Sequence, residues 1–414
     1  MATLRQECTA TQAPTRIAAI DVFRALTMFF MLFVNDMAGL ENIPHRLEHA
    51  AASEDMMGFS DTIFPAFLFI MGMSIPLAVH ARRRRGGRLP RIAAHIALRS
   101  VALVAMGLFT VNLESLDWAS TPIGGAWWAI AMTAAFFLVW AVYPRTDKRW
   151  KRTLFAAMKV IGVGILICLA VTYQGRGGSG FGVRWWGILG LIGWTYLVSA
   201  AVYLVVRDRV VWNFVAWGAF VVWCVLDSAG IVGNPVPGSV ALHALGVSGL
   251  LVSSLMRRWA VPTSKMTLKT TSTTAATHAV PWRFFGWLAG LAAVMAVAGI
   301  LAHGHWIVSK IEATPTWLFW CLAIFLPLLG IVYFLTEIRG KARWFDFIAP
   351  AGTLTLTCYM VPYVWYAVRG LLGVARPEVL QSGWLGLAGS LLFAWLCVAI
   401  AGAAGKYLKV RLKV

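Results

Sequence analysis

Three polar side chains border the first two long apolar segments of the chain and could act together. Asn35 ends the first segment in Phe-Val-Asn, His49 lies in the loop that follows, and Asp61 opens the second segment. Imidazole titrates near neutral pH, so His49 can take a proton from an attacking amine or hydroxyl, or can itself attack a thioester. The trio therefore indicates group-transfer chemistry.

Each neighbour of His49 has two roles open to it from the sequence. Asn35 could fix the tautomer of the ring or donate to the oxygen of a thioester. Asp61 could hold the second ring nitrogen, or it could place a charge at the positive end of a helix. The competing interpretation is that a lone loop histidine is a solvent-exposed spectator.

Two arginines inside apolar segments form a second group. At 1.5 Å per residue from Arg16, Arg24 lies about 12 Å into the first segment, and Arg99 lies at a similar depth in the third. Guanidinium groups bind phosphate through paired hydrogen bonds, so both could hold an anionic cosubstrate. Alternatively, Arg24 pairs with Asp21 one turn away and snorkels toward the lipid headgroups.

Two histidine-rich stretches are candidates for a metal site or for a place beside His49. His45-Arg46-Leu47-Glu48-His49 matches the His-x-x-Glu-His pattern of inverted zinc proteases. Five residues match easily by chance, and no third ligand follows on a helix, so no metal site is predicted. His303-Gly304-His305 could line the same mouth as His49 or simply cap the membrane interface.

The composition is that of a membrane protein with several spans. Hydrophobic residues make up 59% of the 414 positions and charged residues 13%, which is more apolar than soluble domains. The net charge of +19 falls in short loops between apolar segments, so it indicates topology rather than nucleic-acid binding. The six cysteines are isolated, and we interpret them as packing residues.

The sequence predicts an all-α, polytopic transmembrane helix bundle. About twelve spans of roughly 20 residues each fit the length that a hydrocarbon core about 30 Å thick requires. The predicted spans lie near residues 17–39, 59–80, 91–113, 122–143, 153–172, 185–206, 210–229, 239–256, 283–302, 315–336, 346–370 and 383–405.

Lys and Arg concentrate in alternate loops, which predicts that those loops and both termini are cytoplasmic. The first span carries Asp21 and Arg24 and lacks an Ala-x-Ala site, so we expect it to remain rather than be cleaved as a signal peptide. We expect one integral membrane unit over residues 1–414. Its parts are a cytoplasmic N-terminus at 1–16, eight spans in 17–256, a cytoplasmic linker at 257–282, four spans in 283–405 and a basic C-terminus at 406–414.

The N-terminal motifs resemble a known family. They are Asp21-Val22-Phe23-Arg24, Phe33-Val34-Asn35, His49-Ala50, Asp61-Thr62-Ile63-Phe64-Pro65, Phe67-Leu68-Phe69-Ile70-Met71-Gly72 and Arg99-Ser100. This set resembles the signature of the heparan-α-glucosaminide N-acetyltransferase family of transmembrane acyltransferases and indicates a bacterial-type member. The resemblance implies that His49 is catalytic, that Asn35 is a second catalytic-site residue and that acetyl-CoA is the cosubstrate. The depth of Arg24 and Arg99 would suit the phosphates of such a cosubstrate, and Asp61 would complete the site beside His49.

The chain also departs from the family pattern. The His-to-Asp spacing is longer by about two residues, through Ser53-Glu54-Asp55, and Trp127-Trp128 replaces an expected Gln-Arg. The spans between 185 and 229 look like an insertion. Ala349-Pro350-Ala351-Gly352 and Tyr359 resemble the Pro-Gly and Tyr of the family, but its Asn-Ser is missing.

The preferred function is a membrane acyltransferase in a bacterial inner membrane. It would move acetyl from cytoplasmic acetyl-CoA to an amine or hydroxyl of an extracytoplasmic sugar or glycan. Its other partners would be the lipid bilayer and, as an open alternative, a second copy of the chain in a homodimer. The alternative is a secondary transporter or flippase for a sugar, a lipid-linked sugar or an anion, because buried charges also mark transport pathways. A scaffold is a third class, disfavoured by the polar groups gathered at one end.

Overall fold

The computed structural model describes residues 17–260, 280–409 and 411–412. The predicted N-terminal segment 1–16 and most of the predicted linker 257–282 lie outside the described residues. Within them the chain is all helical and contains no β-strand. The helices are α1 (Ala18–Met37), α2 (Ser60–Arg84), α3 (Leu89–Glu114), α4 (Gly125–Trp140), α5 (Arg149–Val171), α6 (Ile188–Val206), α7 (Val210–Ser228), α8 (Val240–Trp259), α9 (Trp282–His303), α10 (Pro315–Tyr333), α11 (Ala349–Thr353), α12 (Thr355–Leu371) and α13 (Gly383–Ala403).

A helix lies at each of the predicted span positions. In the described part of the chain, 10 helices are long and apolar enough to cross a membrane, or up to 11 with the bent pair that contains α11 and α12. The remaining position is taken by α4, which is apolar but only 16 residues long. The all-helical membrane architecture is confirmed, and the exact number of crossings stays a prediction.

The helix α8 is the centre of the bundle. In α8, 94% of the apolar window is buried, whereas α5 and α7 bury only 17% and 11% and expose apolar side chains outward. Glycines allow α8 to contact α2 closely, since a Cβ on Gly249 would lie 2.1 Å from the Phe69 carbonyl oxygen and one on Gly72 2.0 Å from that of Gly246. Small residues at such crossings are typical of membrane helix packing. This contact fixes α2, which carries several of the residues discussed below.

The predicted span 346–370 is not one straight helix. A bend of 75° separates the segment Ala342–Thr353 from α12, and Leu354 at the break has non-helical backbone angles of φ −119° and ψ 33°. Gly352 approaches α1 so closely that a Cβ there would lie 2.5 Å from the Asp21 carbonyl oxygen. The break therefore brings the N-terminus of α12 beside the first turns of α1.

The two ends of the bundle differ in character. At one end, called the His49 end, the loop 38–59 between α1 and α2 meets the loop 304–314 between α9 and α10. The opposite end, called the basic end, carries the last turn of α2 with Arg82, Arg83 and Arg84, the loop 85–88 that follows it, and the short loop 207–209 between α6 and α7.

Candidate functional site

The structure brings His49 and Asp61 into direct contact. His49 Nδ1 lies 2.7 Å from Asp61 Oδ1, and the Asp61 side chain is only 1% exposed. The other carboxylate oxygen, Oδ2, accepts from the N–H groups of Ala50 at 3.1 Å and Gly58 at 3.0 Å. The carboxylate of Asp61 can only accept, so its contact with Nδ1 favours the neutral tautomer of His49 that has the proton on Nδ1 and the lone pair on Nε2.

The loop before α2 is folded back on itself, which holds His49 in place. Gly58 allows this fold, because a Cβ there would lie 1.9 Å from the Glu48 carbonyl oxygen. Ser60 Oγ donates to the Leu47 carbonyl oxygen at 2.6 Å, and Phe59 N–H donates to that of Arg46 at 2.8 Å. The His49 side chain itself is 41% exposed. A fixed imidazole therefore faces open space at the end of the bundle.

Lys310, from the loop 304–314, completes this cluster, and it is not among the site residues predicted from the sequence. Its Nζ lies 3.1 Å from His49 Nδ1 and 3.7 Å from Asp61 Oδ1, and its side chain is 25% exposed. Burial lowers the pKa of Lys310, and the Asp61 carboxylate opposes that shift. One signal was available, since Lys310 is among the few basic residues of the loops at this end.

Asp55 holds the loop that carries Lys310. Its carboxylate contacts His303 Nε2 at 2.7 Å and accepts from the Val308 N–H at 2.8 Å, and both bonds hold the pKa of Asp55 below its usual range. Ser309 Oγ donates to the Ala52 carbonyl oxygen at 3.1 Å. His303 therefore lies at the His49 end, because it contacts Asp55 of the loop that carries His49. The sequence alone left its position open.

His45 contacts carboxylates other than the one that holds His49. Its ring nitrogens lie 2.6 Å from Glu54 Oε1 and 3.1 Å from Glu48 Oε2, and these contacts raise the pKa of His45.

Over residues 17–260, 280–409 and 411–412, no three or more His, Cys, Asp or Glu side chains are grouped so as to hold a metal ion.

Asn35 takes no part in the hydrogen bonds around the imidazole. It is exposed, and among the described residues no hydrogen bond joins it to His49. Its neighbour Asp36 is instead held near α12 and α13, where it accepts from Tyr366 at 2.6 Å and Ser390 at 2.7 Å and pairs with Arg376 at 3.2 Å. The polar anchor at the end of α1 is thus Asp36, which the sequence analysis passed over.

A large cavity opens between α1, α2, α3, α6 and α12. Its volume is about 1290 Å³, and it contains both arginines predicted from the sequence to bind the cosubstrate, Arg24 and Arg99. Its far end reaches Met31 and Phe67 in the half of the bundle nearer His49. The other basic residues that line it are His80, Arg84, Arg257 and Arg411.

The two predicted arginines are held differently. Arg24 donates to Ser74 Oγ at 2.6 Å and to the Gly352 carbonyl oxygen at 3.2 Å. It also pairs with Asp21 at 3.4 Å, as the alternative interpretation of Arg24 predicts. The Arg99 guanidinium stacks over the Tyr196 ring at 4.8 Å, and its buried Nε has no hydrogen-bond partner among the described residues. Arg99 therefore keeps donor capacity at the cavity.

Positions along α2 give the separation between the His49–Asp61 pair and Arg24. Asp61 stands in its first turn, and Ser74, which contacts Arg24, follows 13 residues later, about 20 Å along the axis. Phe67, at the far end of the cavity, lies only about 9 Å from Asp61 by the same count. The cavity thus extends from the level of Arg24 about half of the way toward the imidazole.

Comparison with known proteins relates the chain to acetyltransferases. A family model described as "Domain of unknown function (DUF5009)" matches residues 16–232. The chain is 33% identical over 130 residues to heparan-alpha-glucosaminide N-acetyltransferase of Homo sapiens, and 30% identical over 135 residues to that of Mus musculus. These matches cover 30% and 32% of this chain and only 19% and 20% of those proteins, so the relationship is distant.

Proposed function

This chain belongs to the DUF5009 family, and from that premise, together with its distant relationship to N-acetyltransferases, we propose that it is an integral membrane acetyltransferase. It transfers acetyl from acetyl-CoA to an amine or hydroxyl of a sugar or glycan. The observation that carries the proposal is an imidazole held by Asp61, about 20 Å along one helix from Ser74, which contacts Arg24 in an arginine-lined cavity.

The cavity suits a long cosubstrate with an anionic head. Arg24 and Arg99 would hold the diphosphate, since guanidinium groups are good phosphate ligands. The N-terminus of α12 supports them, because Thr355 and Leu356 line the cavity and a helix N-terminus attracts anions. The pantetheine arm would then run past Met31 and Phe67 toward His49.

His49 Nε2 would carry out the transfer. As a base, it takes the proton from the acceptor amine or hydroxyl while the new C–N or C–O bond forms and the C–S bond breaks, releasing CoA as the thiol. As a nucleophile, it first accepts the acetyl group and then passes it on. In both routes Asp61 keeps the proton on Nδ1, and the ammonium of Lys310 offsets the carboxylate charge.

The direction of transfer follows from the charge pattern. The basic end would be cytoplasmic and would admit acetyl-CoA, and the His49 end would meet the acceptor outside, as in a bacterial-type enzyme of the inner membrane. Asn35 remains a proposed partner of the reacting thioester, which it would meet once the acyl group is bound. The domain scheme of eight spans, a linker and four spans belongs to the same proposal.

The test is acetyl transfer by the purified full-length protein in detergent. Given acetyl-CoA and glucosamine, the wild type should release free thiol and form acetylated sugar, and His49→Ala should abolish both while still binding acetyl-CoA. His305→Ala is the matched control, because that imidazole lies in the neighbouring loop and contacts Trp306 rather than Asp61. Full activity in His49→Ala would refute the proposal. Binding without thiol release in the wild type would favour a transporter.

A further inference from the structure

A second cluster of charged side chains lies at the basic end of the cavity. His80 of α2 and Arg257 of α8 both line the cavity, and both contact the same carboxylate. Asp208 Oδ1 accepts from Arg257 Nη1 at 2.7 Å, and Oδ2 lies 2.7 Å from His80 Nε2. The Tyr203 hydroxyl donates to Asp208 at 3.0 Å. We call His80, Arg257, Tyr203 and Asp208 the rim cluster.

Asp208 comes from a short, constrained loop. It lies in the three-residue connection between α6 and α7, beside Arg207, whose φ of +57° is unusual for a residue other than glycine. The side-chain amide of Asn213 donates to the carbonyl oxygens of Arg207 at 2.9 Å and Arg209 at 3.0 Å. The loop therefore presents its single carboxylate at a fixed place.

His80 lies between two cavities, whereas Arg257 lines only the large one. The second cavity, of about 30 Å³, is lined by His80, Tyr203 and Asp208 together. The contacts of Asp208 are partly exposed, with side chains 30% exposed for His80, 42% for Asp208 and 31% for Arg257. Ion pairs at such exposure are weak, so an anion in the large cavity can compete for the same donors.

The distance from the Arg24 level matches a second phosphate. His80 follows Ser74 by six residues on α2, about 9 Å further toward the basic end. CoA carries a phosphomonoester on its ribose, separate from the diphosphate and farther from the thioester. A guanidinium, an imidazole and the nearby Arg84 suit such a group.

We propose that the rim cluster is a phosphomonoester subsite, which Asp208 occupies until the ribose phosphate of the cosubstrate displaces it. The subsite rests on the proposed function, because it takes its ligand from acetyl-CoA. It adds a specificity device to that function: the enzyme distinguishes CoA from nucleotides that lack the ribose phosphate. It also assigns a role to the α6–α7 loop, which lies in the stretch of spans that looks inserted.

The test is calorimetric binding of CoA and of 3′-dephospho-CoA to the purified full-length protein. The wild type should bind CoA about tenfold more tightly, the effect of one charge-assisted contact. Arg257→Gln should remove that preference by weakening CoA alone, and Asp208→Asn should tighten CoA several-fold without changing dephospho-CoA. Arg258→Gln is the matched control, since that neighbouring arginine stacks on Trp259 and does not face the cavity.

Each failure has its own signature. Equal affinities in the wild type, or an equal loss of both ligands in folded Arg257→Gln, would overturn the subsite while leaving the acetyltransferase proposal intact. Weaker CoA binding by Asp208→Asn would overturn the displacement. If neither CoA nor 3′-dephospho-CoA binds to the wild type, the proposed function and the subsite are both overturned. If Arg257→Gln does not fold, Arg257→Lys should show a smaller loss confined to CoA.

Discussion

In the proposed transfer, the protonation of a single ring nitrogen decides whether His49 can act. Asp61 is buried, accepts two backbone N–H groups and lies 2.7 Å from Nδ1, so it favours the tautomer whose lone pair is on Nε2. The motif spacing predicted that Asp61 would stand near His49, because both are local in sequence. Lys310 is 261 residues away from His49 in sequence and reaches it only through the tertiary fold.

We expect Asp61→Asn to lower acetyl transfer by roughly 10²–10⁴-fold, the range for removing the carboxylate that orients a catalytic histidine. An amide can donate to Nδ1, which would move the ring proton to Nε2 and remove the free lone pair. The measurement is the turnover rate beside acetyl-CoA affinity, which should change little. Glu312→Gln, an exposed carboxylate in the loop that carries Lys310, should behave like the wild type. Equal losses of affinity and turnover would indicate misfolding instead.

At the scale of elements, the two loops at the His49 end act as one unit. The sequence shows the extra residues between His49 and Asp61 as a longer spacing, but it does not indicate which contacts they make. In the structure Asp55 bonds His303 and Val308 across the gap, whereas Glu54 bonds His45 and the Ala51 N–H within its own loop. The longer loop thus supplies the anchor for the loop that carries Lys310.

Asp55→Ala should therefore reduce turnover by roughly 10–100-fold, because a displacement of about 1 Å near the reacting group costs that much. Acetyl-CoA affinity should stay near that of the wild type, since the arginine-lined cavity is distant. Glu54→Ala is the matched control, as it removes an adjacent carboxylate whose bonds do not cross to the second loop. The result would contradict this account if both variants lost the same activity.

Helix positions were predictable, and the interruption of one helix was not. Long apolar runs locate spans because each must fill the hydrocarbon thickness, and a helix was found at every predicted position. The break at Leu354 depends on the close approach of Gly352 to Asp21, a contact between distant parts of the chain. Hydropathy does not report such a contact, so the apolar run at residues 346–370 predicts one continuous span.

At the scale of the whole molecule, the site joins two parts of the chain. The family match covers residues 16–232 and includes His49, Asp61, Arg24 and Arg99. Lys310 and the broken α11–α12 segment lie beyond it, yet they border the imidazole and the cavity. The N-terminal motifs therefore predict residues that the structure places at the His49–Asp61 contact and in the cavity, but they do not predict what the later part of the chain adds to them.

The orientation of the bundle in the membrane is the last prediction, and it decides which side supplies each substrate. Basic residues concentrate in the loops of one end, which should be cytoplasmic, so the His49 end should face outward. Single cysteines at Ser53 and at Arg88, both exposed, sample the two ends, in a background with Cys8 and Cys168 replaced by serine. A membrane-impermeant maleimide added to intact spheroplasts should label Ser53→Cys and leave Arg88→Cys unlabelled until the cells are lysed. Labelling of Arg88→Cys alone in intact cells would reverse the orientation, and acetyl-CoA could then no longer reach the cavity from the cytoplasm.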